Sequence, residues 1–166
     1  MPPPDKRVVV CPGTFDPVTN GHLDVITRAA AMYDQVVVGV VNLPWRKGST
    51  VFSVEERIAF IANATREVGN IAVEPFSTLL VDFARQHGAI AILKGLRAIS
   101  DFEYEMEMNQ LNHRQAPEIE SVYLMASDKY SFLSSSGVKE LATFGGDIDD
   151  LVPGEVADAL KERLGR

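Results

Sequence analysis

Cysteine is nearly absent from this sequence, which holds a single one, Cys11, among 166 residues. One thiol cannot close an internal disulfide, a usage that fits a reducing cytosol. The sequence offers Cys11 no obvious base partner, so it reads as a buried strand thiol and not as a nucleophile. No apolar run approaches the ~20 residues that a membrane span needs, and no membrane partner is expected. The N-terminus, Met1-Pro2-Pro3-Pro4-Asp5-Lys6-Arg7, passes directly into a short apolar run without a signal-peptide layout. Export is therefore not expected, and residues 1–6 are expected to form a disordered tail. Cations are in the minority, with 16 Lys and Arg against 23 Asp and Glu and a net charge of −7. A nucleic-acid binder gains much of its affinity by neutralising phosphates, so that class is disfavoured. A small anionic substrate is not, because a few clustered cations act locally.

Histidine is scarce as well: His22, His87 and His113 share no metal-ligand spacing. There is no Walker loop and no GxGxxG fingerprint, which counts against P-loop kinases and dinucleotide-dependent dehydrogenases. Internal repeats, low-complexity linkers and charge blocks are also missing. A single domain over residues 1–166 is the expectation, long enough to bury roughly 70% of its unfolded surface.

What the chain does contain is an alternation of β-rich and helical segments. Arg7–Cys11, Gln35–Val41, Ile71–Glu74, Ala89–Lys94 and Ser121–Met125 read as strands. The first, second and fourth are nearly continuous apolar runs, as parallel strands covered on both faces require. Helix His22–Met32 is expected to follow Asn20 as N-cap. Ser53-Val54-Glu55-Glu56 reads as a capping box, opening a helix with Ile58, Ile61 and Ala62 inward. Leu79–Gln86 is a short helix, and Ser100-Asp101-Phe102-Glu103 reads as a second capping box, its helix ending before Pro117. A serine-rich turn opens a helix that stops at Gly145-Gly146. Pro153 starts the last helix, with Val156, Leu160 and Leu164 inward. The implied fold class is α/β: a Rossmann-like, doubly wound, five-stranded parallel sheet with helices on both faces and an extra C-terminal helix. Ligands of such sheets sit outside the carboxyl ends of the strands.

The turns at those ends carry anion-binding groups. After the first strand comes Pro12-Gly13-Thr14-Phe15-Asp16-Pro17-Val18-Thr19-Asn20-Gly21-His22. Gly13 and Gly21 allow tight backbone and close approach of a ligand. His22 falls in the first helical turn, where it can donate to a phosphate and stabilise charge developing on it. After the fourth strand, Lys94-Gly95-Leu96-Arg97 suits a phosphate clamp, Lys as point charge and Arg as fork. After the fifth, Tyr130-Ser131-Phe132-Leu133-Ser134-Ser135-Ser136-Gly137 brings three serines to a helix start, more than one N-cap needs. After the second, Pro44-Trp45-Arg46-Lys47-Gly48 is a basic loop that alone reads as a solvated turn. Together these turns point to a nucleotide or polyphosphate substrate.

Thr19-Asn20-Gly21-His22 resembles the (T/H)xGH signature of the nucleotidyltransferase superfamily, and Ser134-Ser135-Ser136 its serine-bearing motif. PGTFDP followed by TNGH, then KGLR at 94–97, Asp101-Phe102-Glu103-Tyr104-Glu105 and Tyr130–Ser136 narrow the likeness to the phosphopantetheine adenylyltransferase family, from about Val8 to Leu160. The resemblance implies adenylyl transfer from ATP to 4′-phosphopantetheine, giving dephospho-coenzyme A and pyrophosphate in coenzyme A biosynthesis. It places Thr14 between the substrates, with Phe15, His22, Gly95, Leu96, Arg97, Glu105 and Tyr130, Ser131, Phe132, Leu133, Ser134, Ser135 and Ser136 around ATP. Thr14, Leu80 and Lys94 would contact phosphopantetheine, together with Arg46 or Lys47, of which Arg46 is favoured by its distance from Pro44. Lys94 stands where many members carry Arg, which keeps the charge and loses the fork. Glu105 alone would read as a solvated helix-face acid, and Tyr104, Met106 and Met108 as packing residues or a subunit interface.

The expected mechanism is in-line attack on the α-phosphorus with His22, Lys94 and Arg97 as catalytic residues, His22 stabilising the transition state. Mg2+ is expected to ride on the triphosphate, with no metal-binding residues of the protein's own. The resemblance also implies a cytoplasmic homohexamer and leaves room for inhibition by coenzyme A. Two alternatives stand beside it: another small-molecule nucleotidyltransferase, and a catalytically silent ATP-binding regulator on the same fold.

Overall fold

The computed structural model describes residues 6–43 and 49–165. Five strands, β1 (Val8–Gly13), β2 (Gln35–Val41), β3 (Ile71–Phe76), β4 (Ala91–Leu96) and β5 (Glu120–Met125), form one sheet in the order β3-β2-β1-β4-β5. Every neighbouring pair is parallel, with Val8 opposite Gln35, Val36 opposite Ile71, Val9 opposite Ala91 and Ala91 opposite Glu120. The three central strands have buried cores of valine, isoleucine and leucine, while β3 and β5 at the edges are half-exposed. The sheet and its helices match the α/β class expected from the sequence.

Side chains of successive strand residues point to opposite faces, and the core divides accordingly. Val9, Cys11, Val36 and Val38 pack with Ile26, Phe60, Ile61, Val138 and Leu160, from α1 (Asn20–Met32), α2 (Val54–Thr65), α5 (Ser135–Thr143) and α6 (Gly154–Leu164). Val8, Val10 and Val37 pack with Val81 and Phe83 of α3 (Leu80–Gln86), and with Ala116 and Ile119 just after α4 (Ile99–Gln115). Helices thus cover both faces. The chain winds outward from β1 to β3, then returns past β1 to lay down β4 and β5. The winding direction reverses between β1 and β4, so the crevice at the carboxyl ends of these two strands is the topological switch point.

Several helix starts differ from the expectation. Thr19, not Asn20, caps α1: its hydroxyl accepts from His22 N–H, and its own N–H donates to the His22 ring, a capping box closed by histidine. Both residues suit an N-cap, but only Thr19 has an acceptor-bearing side chain three positions on. Asn20 instead donates to the Asp150 carbonyl at 2.9 Å. The Ser53–Glu56 capping box of α2 forms as expected. Ile61 is buried and Ile58 packs against the core as expected, with Arg57, Phe60 and Thr65 also on the inward face of α2, but Ala62 is exposed. The second capping box does not form. Helix α4 begins at Ile99 with Ala98 as an uncapped N-cap, because Asp101 folds back onto the Arg97 N–H at 3.1 Å. Helix α5 ends in a Schellman turn, with Gly145 at φ +75° and Gly146 N–H donating to the Leu141 carbonyl at 2.8 Å. Pro153 sits one position outside α6 as its N-cap, with Val156 and Leu160 buried and Leu164 partly so.

Candidate active site

The carboxyl ends of β1 and β4 open into a cavity of about 550 Å³, a volume suited to a nucleotide-sized ligand. Strands β1 and β4 both run two residues further than the apolar runs suggest, so Pro12 and Gly13 belong to β1, and Gly95 and Leu96 to β4, which also begins two residues later than expected, at Ala91. Lys94 and Gly95, at this end of β4, line the cavity wall. The space that a Gly13 Cβ would fill is taken by the Phe15 ring at 2.9 Å. Gly13 therefore makes room for a side chain of this chain, not for a ligand. Gly21 does line the cavity.

His22 is held on the wall by its capping box. Its Nδ1 accepts from Thr19 N–H at 3.0 Å, and the Thr19 hydroxyl lies 3.1 Å from the same nitrogen. A neutral imidazole has one donor and one acceptor nitrogen; acceptance at Nδ1 leaves the proton on Nε2. Phe15, buried at φ +51°, sets its ring edge-on to the imidazole with centroids 5.1 Å apart. Burial, reinforced by the positive charge of Arg97, lowers the His22 pKa to about 4. His22 is thus an uncharged Nε2–H donor at neutral pH.

The two cations expected in the β4 turn both reach the cavity, each held by a carboxylate from α4. Lys94 Nζ lies 2.7 Å from Glu105 Oε2, with both side chains largely buried. The Arg97 Nε donates to Asp101 Oδ2 at 3.2 Å, and its Nη1 to the Leu133 carbonyl at 2.7 Å. Arg97 thereby ties the β4 end to the serine turn. Among the serines, Ser134 caps α5 by accepting from Gly137 N–H at 3.0 Å. Ser135 donates to the Pro17 carbonyl at 2.8 Å, joining the serine turn to the β1 turn. Ser136 lines the cavity. Two of the three hydroxyls therefore assemble the site.

Of the residues anticipated around ATP, Phe15, His22, Gly95, Arg97, Glu105, Tyr130, Leu133, Ser134, Ser135 and Ser136 line this one cavity. Thr14 is exposed just past β1, Leu96 is buried, and neither Ser131 nor Phe132 lines the cavity. Phe132 borders a separate apolar depression with Leu141 and Phe144. Leu80 packs against the α3 face of the core and also stands apart. Arg46 and Lys47 lie outside the described residues, as do residues 1–5 of the anticipated tail. Tyr104 lines the cavity instead of packing within the chain, and Met106 is exposed. Cys11 is buried at 3% exposure, and desolvation pushes its thiol up to about 12, which leaves it protonated and inert.

Sequence reasoning missed Asp16, Arg57, Ser100 and Asp101. Asp16 is buried and accepts from Val51 N–H at 3.0 Å, Phe52 N–H at 2.9 Å and Lys139 Nζ at 3.2 Å. Asp101 carried a signal in its i,i+4 spacing from Arg97. Arg57 carried one in its position, a charge on the apolar stripe of α2. Among the described residues no group of three or more His, Cys, Asp or Glu is placed to hold a metal ion. None of their helices is long and apolar enough to cross a membrane.

A parallel sheet with a phosphate-suited crevice at its switch point, walled by a histidine at a helix start, is the arrangement of a nucleotidyltransferase. In keeping with this, residues 10–141 match the cytidylyltransferase-like family. In fold, the chain is similar to the crystal structure of a Vibrio parahaemolyticus protein provisionally identified as a nicotinate-nucleotide adenylyltransferase. The TM-score is 0.69 at 12% identity, covering 95% of this chain and 93% of that one. In sequence, it is 51% identical to the phosphopantetheine adenylyltransferase of Moorella thermoacetica, over 96% of this chain and 98% of the relative. It is 52% identical to that of Streptomyces coelicolor, over 95% and 98%. The chain belongs to the phosphopantetheine adenylyltransferase family of nucleotidyltransferase enzymes.

Proposed function

We propose that this enzyme transfers the adenylyl group of magnesium-bound ATP to 4′-phosphopantetheine, a step of coenzyme A biosynthesis. The observation that carries the reading is the convergence of His22, Lys94 and Arg97 on one cavity between β1 and β4, in a chain about half identical to named members of the family. A phosphate oxygen of phosphopantetheine attacks the α-phosphorus of ATP in line. The bond from that phosphorus to the oxygen bridging to the β-phosphate breaks, and pyrophosphate leaves with that oxygen. No enzyme nucleophile is required, since the attacking phosphate is already an anion at neutral pH.

The protein then contributes position and charge stabilisation. The uncharged His22 donates from Nε2 to the α-phosphate as negative charge builds there. Lys94 leaves Glu105 to orient the attacking phosphate, and Arg97 with the serine turn holds the β- and γ-phosphates. Phe15, Gly95, Glu105, Tyr130, Leu133, Ser134, Ser135 and Ser136, which line the cavity, surround ATP, while Thr14, exposed just past β1, meets the acceptor. Magnesium arrives on the triphosphate as part of the substrate.

Exposed apolar residues on α4 support assembly into a homohexamer. The lone buried thiol supports a cytoplasmic setting, and binding of coenzyme A as an inhibitor follows from its shared phosphopantetheine arm. The deciding experiment measures pyrophosphate release from ATP and magnesium, with and without 4′-phosphopantetheine. Acceptor-dependent release with dephospho-coenzyme A as product is expected. Release with nicotinate mononucleotide or glycerol phosphate instead would make it a different nucleotidyltransferase, and ATP binding without any release would make it a silent binder.

A further inference from the structure

Arg57, in the first turn of α2, is only 4% exposed, yet a guanidinium keeps its charge in any protein environment. Burying a charge is costly unless strong hydrogen bonds replace its water. Among the described residues its acceptors are all backbone carbonyls, drawn from three segments of the chain. Its Nη1 donates to Thr14 at 2.7 Å and Val41 at 3.0 Å. Its Nε donates to Phe52 at 3.2 Å and Ser53 at 3.3 Å. Asp16, whose charge acts on Arg57 across this region, is itself paired with Lys139 at 3.2 Å. Asp16 also grips the N–H groups of Val51 and Phe52, so Phe52 is held through its N–H by Asp16 and through its carbonyl by Arg57.

The shortest of the four Arg57 bonds falls on the carbonyl just before the strained residue of the site. Phe15 sits at φ +51°, a conformation that a bulky residue keeps only where its surroundings over-determine it. Fixing the Thr14 carbonyl fixes the plane of the Thr14–Phe15 peptide, because that unit is rigid. The Phe15 ring then fills the space above Gly13, at 2.9 Å from where a Cβ would be, and meets the His22 imidazole edge-on. A continuous chain of contacts runs from Arg57 through Thr14 and Phe15 to His22.

We infer that Arg57 is a positioning residue for the transfer step: it holds the Thr14–Phe15 peptide so that Phe15 orients and desolvates His22. Arg57 does not itself touch the substrate. The inference rests on the proposed reaction for its kinetic consequence, but its structural consequence can be measured without turnover. Lysine retains the charge but cannot span carbonyls on three segments with one fixed fork, so R57K keeps the fold and loosens the peptide. R57M removes the charge as well.

The experiment compares full-length wild type, R57K and R57M by steady-state pyrophosphate release and by NMR titration of the His22 ring. A misplacement of the order of 1 Å costs about 100-fold in turnover, and R57K is expected to lower kcat by about 10- to 100-fold with a much smaller change in KM for ATP. In the same variant, the His22 midpoint is expected to rise toward the ordinary imidazole value as water reaches the ring. Unchanged kcat per folded molecule together with an unmoved His22 titration in R57K overturns the inference. Should R57M fail to fold, R57K alone decides. A wild type that makes no dephospho-coenzyme A would sink the proposed reaction instead. The His22 titration would then still decide the role of Arg57.

Discussion

His22 shows how a side chain gains a reactive state from hydrogen bonds made for another purpose. Its Nδ1 completes a helix cap, which leaves Nε2 as the only nitrogen able to donate outward. Protonating Nδ1 would break that cap bond, and burial together with Arg97 opposes the charge in any case. An NMR titration of the free enzyme should therefore find His22 neutral at pH 7, with a midpoint near 4; a midpoint at or above 6 would contradict this account. The sign for stability follows from the lowered pKa. Between the unfolded value of about 6.5 and the folded one, the unfolded chain binds more protons, so stability falls as pH drops through that window. The contribution is intact above it and gone below it. His22→Ala should consequently show a shallower loss of melting temperature between pH 7 and pH 4.5 than the parent. The same variant loses the proposed donor to the α-phosphate, and its kcat at saturating substrates should drop by about 100- to 1000-fold. An undiminished kcat would remove His22 from the transition state.

Helix α1 separates a capping contribution from a catalytic one. The Thr19 hydroxyl accepts from His22 N–H at 3.3 Å, but the bond that sets the ring tautomer comes from the Thr19 backbone at 3.0 Å. Thr19→Ala removes the first and keeps the second. Loss of such a cap costs about 1 kcal/mol, which for a chain of this size lowers Tm by about 2–4 °C. Turnover should stay within about threefold of the parent, since no transition-state contact is removed; a hundredfold loss would mean that the hydroxyl, not the backbone, governs the ring. This helix also marks the limit of what was legible in the chain. The valine-rich runs and the Ser53–Glu56 cap appear in the sequence because strands and capping boxes are local. The Asn20 and Ser100 assignments failed because the deciding partners were a histidine acting as cap acceptor and an arginine capturing Asp101. Arg57 was invisible as a brace because its acceptors, on Thr14, Val41, Phe52 and Ser53, are backbone carbonyls, which no residue pattern reports. The placement of Leu80 outside the main cavity is likewise a matter of packing and not of motif.

At the scale of the whole molecule, the alternation of strands and helices gave the layer architecture but not which strands adjoin. The β1–β4 pairing joins residues about eighty positions apart, and it is this pairing that brings His22 and Lys94 to one crevice. The same view exposes what the single chain leaves unfinished. Helix α4 has no buried residue, although it carries two apolar stripes. Tyr104 lies on the one toward the cavity. Ile99, Phe102 and Met106, spaced i, i+3, i+7, share the other side and are 81%, 50% and 51% exposed. A row of large apolar side chains left in water by an isolated chain is the signature of a contact surface, and the proposed hexamer would cover it. Sedimentation velocity at micromolar concentration should find the wild type assembled and Met106→Glu shifted to smaller species, because a carboxylate on a covered apolar stripe would be buried without a partner. The variant chain should keep its fold, since Met106 contributes nothing to the core of its own chain. A wild type that sediments as a monomer would mean that the α4 stripe serves some other contact, and Met106→Glu assembled as fully as the parent would place the interface on a different face.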